Sequence, residues 1–373
     1  MSARTRLFGR RDPYDQDGTA KLFVKAMREN CAYHFRKCPE YRRILEGEGF
    51  DPESVQSPED LMKIPFVPTL LYKETRMISK PFPIPGISST SSGTGGKKTF
   101  MRLSVGDLWC GLWMCLRTAK KRGILSPKPC HYVVLGYKPG TGNKLGAAKS
   151  AFGATFFAPA LSRRYALIYR NGAYVPALEE LLERVKKLES ARFPTRFMGF
   201  PAYAFFLMRL MEEKGVSVRL PKGSLMMLAG GWKQFYTQQI SKPEFYDLAR
   251  RTLGIPEDGI VEFFGAVEHP VMYCDCPEHR FHVPIYSRAF VRDPYTLEPA
   301  GYGRPGLLQL MTPMVKATPL SCVMTDDLAV MRDGADCPCG IKTPYIELLG
   351  RAGLADVKTC AAEAAKTLRE VKL

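Results

Sequence analysis

What most narrows the fold of this chain is a regular exchange of short apolar runs ending in glycine with amphipathic helical stretches. His131-Tyr132-Val133-Val134-Leu135-Gly136 reads as a short buried strand. Glu179 to Ser190 is a charged amphipathic helix, Arg196 to Phe200 a strand entering a turn, and Tyr203 to Lys214 a further helix. Ser224 to Gly231 then repeats the strand-to-glycine pattern. Strands that are apolar throughout are buried on both faces, which predicts an α/β architecture of largely parallel sheets flanked by helices. From Val261 to Val330 the runs shorten and Pro and Gly turns multiply, so a β-rich subdomain follows.

Upstream, residues 19–46 carry Leu22, Phe23, Ala26, Met27, Asn30 and Tyr33 at helical spacing, broken at Pro39. A helical piece follows Ser57-Pro58, a proline-punctuated extended stretch spans Pro65 to Pro85, and Val105 to Arg122 is helical again. No apolar run approaches the roughly 20 residues that cross a bilayer, and Met1 to Tyr14 lacks a signal-peptide core, so a cytoplasmic protein is expected. Eleven cysteines, scattered apart from Cys274/Cys276 and Cys337/Cys339, argue against a disulfide framework. The net charge of +17 predicts acidic partners such as nucleotides, coenzyme A or an acidic carrier protein. Nucleic acid is also acidic, yet no nucleic-acid motif is present, so no specific binding to it is expected.

Ser88 to Thr99, reading Ser-Ser-Thr-Ser-Ser-Gly-Thr-Gly-Gly-Lys-Lys-Thr, packs hydroxyls, glycines and ammonium groups into one turn. Glycines let the backbone approach oxygen atoms, and lysines offset negative charge, which suits a polyphosphate. The spacing is not the Walker pattern. A flexible surface linker has the same composition, so partners elsewhere must decide between the two. Four segments are candidates: Phe263-Phe264-Gly265-Ala266-Val267-Glu268-His269, Met324-Thr325-Asp326-Asp327, Cys337-Pro338-Cys339-Gly340, and Leu349-Gly350-Arg351.

In this order the motifs resemble the adenylate-forming superfamily, with Gly95 where its phosphate loop has threonine and Lys98 where it has proline. The Cys-Pro-Cys-Gly tail is similar to the phenylacetate-CoA ligase branch. An end about twenty residues beyond Gly350-Arg351 is similar to the long-chain acyl-protein synthetases of the bacterial bioluminescence fatty-acid reductase complex. The resemblance implies an adenylate-forming large domain whose C-terminal lid is absent or vestigial. It divides the chain into an N-terminal helical segment at 1–60, an α/β adenylation core at 61–260, a β-rich subdomain completing the nucleotide site at 261–350, and a hinge with a short tail at 351–373.

The function implied is ATP-dependent activation of a fatty or aromatic carboxylic acid, followed by acyl transfer to a thiol. By the resemblance, Ser91, Ser92, Gly93, Thr94, Gly95, Gly96 and Lys97 hold the β- and γ-phosphates, and Glu268 ligates Mg²⁺. Asp327 takes the ribose hydroxyls, Arg351 reaches the ribose or a phosphate, and Gly230, Gly231 and Trp232 lie by the adenine. His269 is a candidate to orient the acyl carboxylate, against a structural role. Phe197, Phe200, Tyr203, Phe205 and Phe206 are candidates for an acyl pocket, against ordinary core. Cys360 is implied as the acyl acceptor, with a small buried residue as the alternative, and a reductase or carrier protein as the next partner. The four paired cysteines, Cys274, Cys276, Cys337 and Cys339, with the imidazoles of His279 and His282 nearby, offer tetrahedral zinc its ligands, unless they are reduced turn cysteines. The rival readings are a coenzyme A ligase, a non-catalytic nucleotide- or acyl-binding subunit, and a basic nucleic-acid binder.

Overall fold

The computed structural model describes residues 1–80, 86–90, 99–139, 146–170 and 173–351. They form two compact units: 122–264, inserted in sequence, and the remainder, 1–121 with 265 onward.

In the inserted unit the predicted strands appear as Cys130–Tyr137, Thr195–Gly199 and Leu225–Ala229, and Ile260–Phe264, from the stretch read as the start of the β-rich part, joins them. They pair in parallel, with His131 opposite Thr195, Arg196 opposite Leu225 and Met226 opposite Ile260. Every residue of Thr195–Gly199 is buried, as a strand covered on both faces must be. Gly199 is required here: a Cβ on it would strike the Leu135 carbonyl of the neighbouring strand. Helices Leu178–Leu188, Pro201–Glu213 and Lys242–Leu253 turn Leu182, Val185, Leu207, Met208, Ala249 and Leu253 onto this sheet's core. Ser241 caps the last of them by accepting from the Glu244 N–H, and Gly254 ends it in the left-handed region.

The other unit holds the β-rich part, with strands Phe281–His282, Tyr345–Arg351, Cys322–Arg332, Pro305–Met311 and Arg288–Arg292 antiparallel in that order. Val67–Pro68 pairs in parallel with Val323 and Met324 of the long central strand. The stretch after Pro65 is not extended throughout as its prolines suggested. Pro68 sits as the extended residue before helix Thr69–Glu74, where its ring costs the helix no hydrogen bond. The first predicted helix is split as expected, into Ala20–Lys37 and Pro39–Gly47. Among the described residues every cysteine is free, and no helix is long and apolar enough to cross a membrane.

The turn between Pro305–Met311 and Cys322–Arg332 is the junction of this unit. Asn30 donates to the carbonyls of Pro313 and Val315, and the Ser79 N–H donates to Ala317. His34 is fully buried; its Nε2 donates to the Val315 carbonyl at 3.0 Å, which leaves Nδ1 to accept from Ser79 at 2.7 Å. Asp107, fully buried, accepts from the N–H groups of Ser104, Lys316 and Ala317 and pairs with Arg4 at 2.5 Å. Arg4 in turn donates to the Met314 carbonyl.

Removing Asp107 as Asp107→Ala strands a buried guanidinium and three N–H groups, and should cost about 3–5 kcal/mol in urea denaturation. A loss no larger than that of an exposed aspartate would refute its role. Burial pushes the His34 pKa from 6.5 down to about 4. Below 6.5 the unfolded chain takes up a proton that the folded chain refuses until about pH 4, so this contribution is complete above 6.5 and is lost on acidification through that window. Stability measured from pH 7 to 4.5 should therefore fall less steeply in His34→Gln, by up to about 1.4 kcal/mol per pH unit; parallel slopes would count against it.

Candidate functional site

The loop residues Ser91, Ser92, Gly93, Thr94, Gly95, Gly96 and Lys97 lie outside the described residues, as do the tail from 352 and Cys360. Their frame is described. Strands Gly86–Thr90 and Phe100–Ser104 form an antiparallel hairpin with Thr90 opposite Phe100, so both ends of the loop are held across one ladder. Arg102, in the second strand, is locked to Thr318 by hydrogen bonds in both directions along the backbone.

Thr99 is the first described residue after the loop. It is fully buried, and its hydroxyl donates to Oε1 of Glu268. Glu268 is itself only 6% exposed, just past Gly265 in a tight turn closed by the His269 N–H on the Ala266 carbonyl. Its Oε2 accepts no hydrogen bond among the described residues. Two motifs 169 positions apart in sequence thus meet through one hydroxyl and one carboxylate. Thr99 was visible in sequence only as the last hydroxyl of the loop, with nothing local to pair it with Glu268.

His269 is fully buried, with Nε2 3.1 Å from both Tyr273 Oη and Ser287 Oγ. Those two hydroxyls are 2.6 Å apart, and Ser287 donates to the Met311 carbonyl. Burial drives the ring's pKa down to about 3, so it stays neutral at ordinary pH. Its Nδ1, also buried, has no hydrogen-bond partner among the described residues.

Asp326 and Asp327 lie in the central strand Cys322–Arg332 and divide their duties. Asp326 accepts from Thr69 Oγ1 at 2.9 Å and lies 3.7 Å from Lys73 Nζ, both on helix Thr69–Glu74. Asp327 is half-buried, its N–H donates to Thr325 Oγ1, and it stands opposite Arg351 of the adjacent strand. The ladder register therefore brings these two backbone positions together. Thr69 and Lys73 were not legible as partners of the acidic pair, because the helix that carries them was read as extended.

Gly230, Gly231 and Trp232 belong to the inserted unit. Both glycines have left-handed backbones, φ 84° and 62°, which turn the chain sharply at the end of Leu225–Ala229. Trp232 is a core residue: it is 7% exposed, with ring centroids 5.3 Å from Phe205 and 6.4 Å from Phe245. Phe197 is fully buried in the same cluster, and Tyr203, Phe205 and Phe206 pack against it half-buried. Phe200 is buried and meets Tyr203 at 6.2 Å.

Of the paired cysteines, the structure groups Cys276, Cys337 and Cys339, and the fourth member of the group is His282 rather than Cys274. One ligand atom from each lies within 4.8 Å of the others. Cys274 is buried in the short strand Tyr273–Cys274, and His279 is paired with Asp275 at 2.7 Å.

A family model described as acyl-protein synthetase, LuxE, matches residues 10–369. The long-chain-fatty-acid–luciferin-component ligase of Vibrio harveyi is 25% identical over 338 residues, covering 88% of this chain and 83% of that protein. The phenylacetate-coenzyme A ligase of Thermus thermophilus is 27% identical over 320 residues, 83% of this chain and 64% of that one. Among solved structures, 2-hydroxyisobutyryl-CoA ligase in an open conformation with 2-HIB-AMP and CoA superposes with a TM-score of 0.70 at 18% identity, over 92% of this chain and 72% of that chain. The expected α/β architecture of adenylate-forming ligases is thus present, and the chain belongs to the LuxE acyl-protein synthetase family of ligases.

Proposed function

We propose that this protein activates a carboxylic acid with ATP, forming an acyl-adenylate and pyrophosphate, and passes the acyl group to a thiol. The observation that carries the reading is the Thr99–Glu268 contact, which joins the end of the Ser/Gly loop to a buried carboxylate. The ligase relatives point to the same reaction class.

In this reaction a carboxylate oxygen of the acid attacks the α-phosphorus of ATP, and the bond to the bridging oxygen breaks as pyrophosphate leaves. The barrier is largely repulsion between anions, so the useful groups are cations, hydroxyls and backbone N–H donors placed beforehand. In our reading Ser91 to Lys97 cradle the β- and γ-phosphates, and Asp327, with Arg351 opposite, takes the ribose. For the adenine we propose the backbone of Gly230 and Gly231, whose left-handed turn leaves no side chain in the way, while Trp232 belongs to the core. Glu268 fits Mg²⁺ by its chemistry: a hard oxygen donor, held on one side by Thr99 and with Oε2 uncommitted among the described residues. When bound, the ion offsets phosphate charge. His269 acts as a positioning residue for the Glu268 turn.

Cys360 is the acceptor we assign: its thiolate attacks the acyl carbonyl, and AMP departs with the electron pair of the cleaved bond. The resulting thioester would then serve a reductase or carrier protein.

Acid-dependent ATP–pyrophosphate exchange, run over fatty and aromatic acids, tests activation apart from transfer. Exchange should be present with at least one acid; none across the panel, with the protein folded, would leave the non-catalytic reading. Glu268→Gln should lower exchange by about a hundredfold or more, and Thr99→Val by about 10–100-fold, with Thr99→Ser restoring most of it. If Thr99→Val exchanges normally, the contact is structural only. Cys360→Ser should keep exchange and lose covalent labelling by radioactive acid. Persistent labelling refutes this acceptor, and thioester appearing on added coenzyme A instead identifies a CoA ligase.

A further inference from the structure

We propose that Cys276, His282, Cys337 and Cys339 bind one zinc ion as a tetrahedral structural site. Zinc with thiolates at ~2.3 Å and imidazole nitrogen at ~2.05 Å requires tetrahedral edges of about 3.8 Å between sulfurs and about 3.6 Å from sulfur to nitrogen. The structure has Cys276 Sγ 3.9 Å from Cys337 Sγ, Cys337 Sγ 3.3 Å from Cys339 Sγ, and Cys339 Sγ 3.5 Å from His282 Nε2. Three of the six edges thus lie within about 0.5 Å of those of one coordination shell, and all four ligand atoms lie within 4.8 Å of one another, whereas a disulfide would require sulfurs at about 2.05 Å.

The surroundings prepare each ligand. His282 Nδ1 lies 2.6 Å from the Thr343 carbonyl, which can only accept, so the proton is on Nδ1 and the Nε2 lone pair faces the sulfurs. The Ile341 N–H donates to Cys339 Sγ at 3.4 Å. Two tight turns present the thiols: in one the His279 N–H closes on the Cys276 carbonyl with His279 left-handed at φ 52°, and in the other the Gly340 N–H closes on Cys337 with Gly340 at φ 81°. A side chain at Gly334 would collide with the Thr343 carbonyl and crowd His282, so glycine is what lets this loop close.

The site explains how a very short strand holds its place. Phe281–His282 pairs with Ile346 and Tyr345, and two residues make too few ladder bonds to fix an edge alone. The metal would anchor that edge to the turn at Cys337 and Cys339, at the start of the strand whose other end puts Arg351 opposite Asp327. The role is architectural, since four protein ligands leave no open position for chemistry.

Elemental analysis of the whole protein, purified without chelator, should find one zinc per chain. The cobalt-substituted protein should show the intense visible bands of a tetrahedral thiolate site. Cys274→Ser should retain the metal, and Cys339→Ser or His282→Gln should lose it and lower the Tm. Wild-type protein that holds no zinc and takes up no cobalt when reduced overturns the proposal, as does a mapped disulfide among the three cysteines. Loss of metal in Cys274→Ser with retention in His282→Gln overturns this ligand set. The wild-type measurements decide the question even where a variant fails to fold.

Discussion

The carboxylate of Asp107 is the group on which the non-inserted unit depends. Taking such a charge out of water costs several kcal/mol unless its lone pairs are met and its charge is balanced. Here Arg4 supplies the charge, and the N–H groups of Ser104, Lys316 and Ala317 supply the donors. These donors come from two places that matter. Ser104 ends the strand that leads out of the Ser/Gly loop, and Lys316 and Ala317 lie on the turn that feeds the strand bearing Asp326 and Asp327. One buried acceptor therefore fixes the frame of the candidate phosphate loop relative to the candidate ribose carboxylate. Asn30, His34 and Arg102 grip the same turn from the N-terminal helix and the hairpin, so the junction resists shear in several directions.

What could be read in the sequence was what local periodicity controls. Thr195–Gly199 and Leu225–Ala229 were legible because burial on both faces demands continuous apolar runs, and Leu178–Leu188 because one helical face must be apolar. Ala160–Arg170 escaped notice for the complementary reason. It joins the same sheet beside Cys130–Tyr137, but with Arg163, Arg164 and Arg170 along its length it lacks the apolar run of a strand covered on both faces. Thr69–Glu74 escaped because prolines nearby suggest extension, although a proline immediately before a helix costs nothing.

The site was legible in its motifs and not in its contacts. Glu268 stands out by residue type just past a strand and Asp327 as one of an acidic pair, which the structure places in mid-strand, but their partners are set by tertiary structure. Thr99 reaches Glu268 across 169 positions of sequence, and Arg351 stands opposite Asp327 by ladder register. The cysteines teach the same lesson. Pairing by sequence proximity puts Cys274 beside Cys276, yet the backbone turn after Asp275 and the pairing of His282 with Tyr345 bring an imidazole to the three thiols instead.

The Thr99–Glu268 contact also bears on why a buried carboxylate is tolerated there. A carboxylate 6% exposed with a single neutral donor is incompletely compensated, unlike Asp107 with its cation and three backbone N–H groups. Such a group gains most from an added positive charge, and the gain is largest where water is excluded. Asp107 is satisfied by the chain's own groups and serves the fold. Glu268 takes one hydrogen bond among the described residues and sits beside the exit of a loop rich in hydroxyls and lysines, and this is what our proposal of a bound cation there rests on. The contrast between two buried carboxylates in one unit, one closed and one open, is the electrostatic ground on which we assign the first to the fold and propose the second for the site.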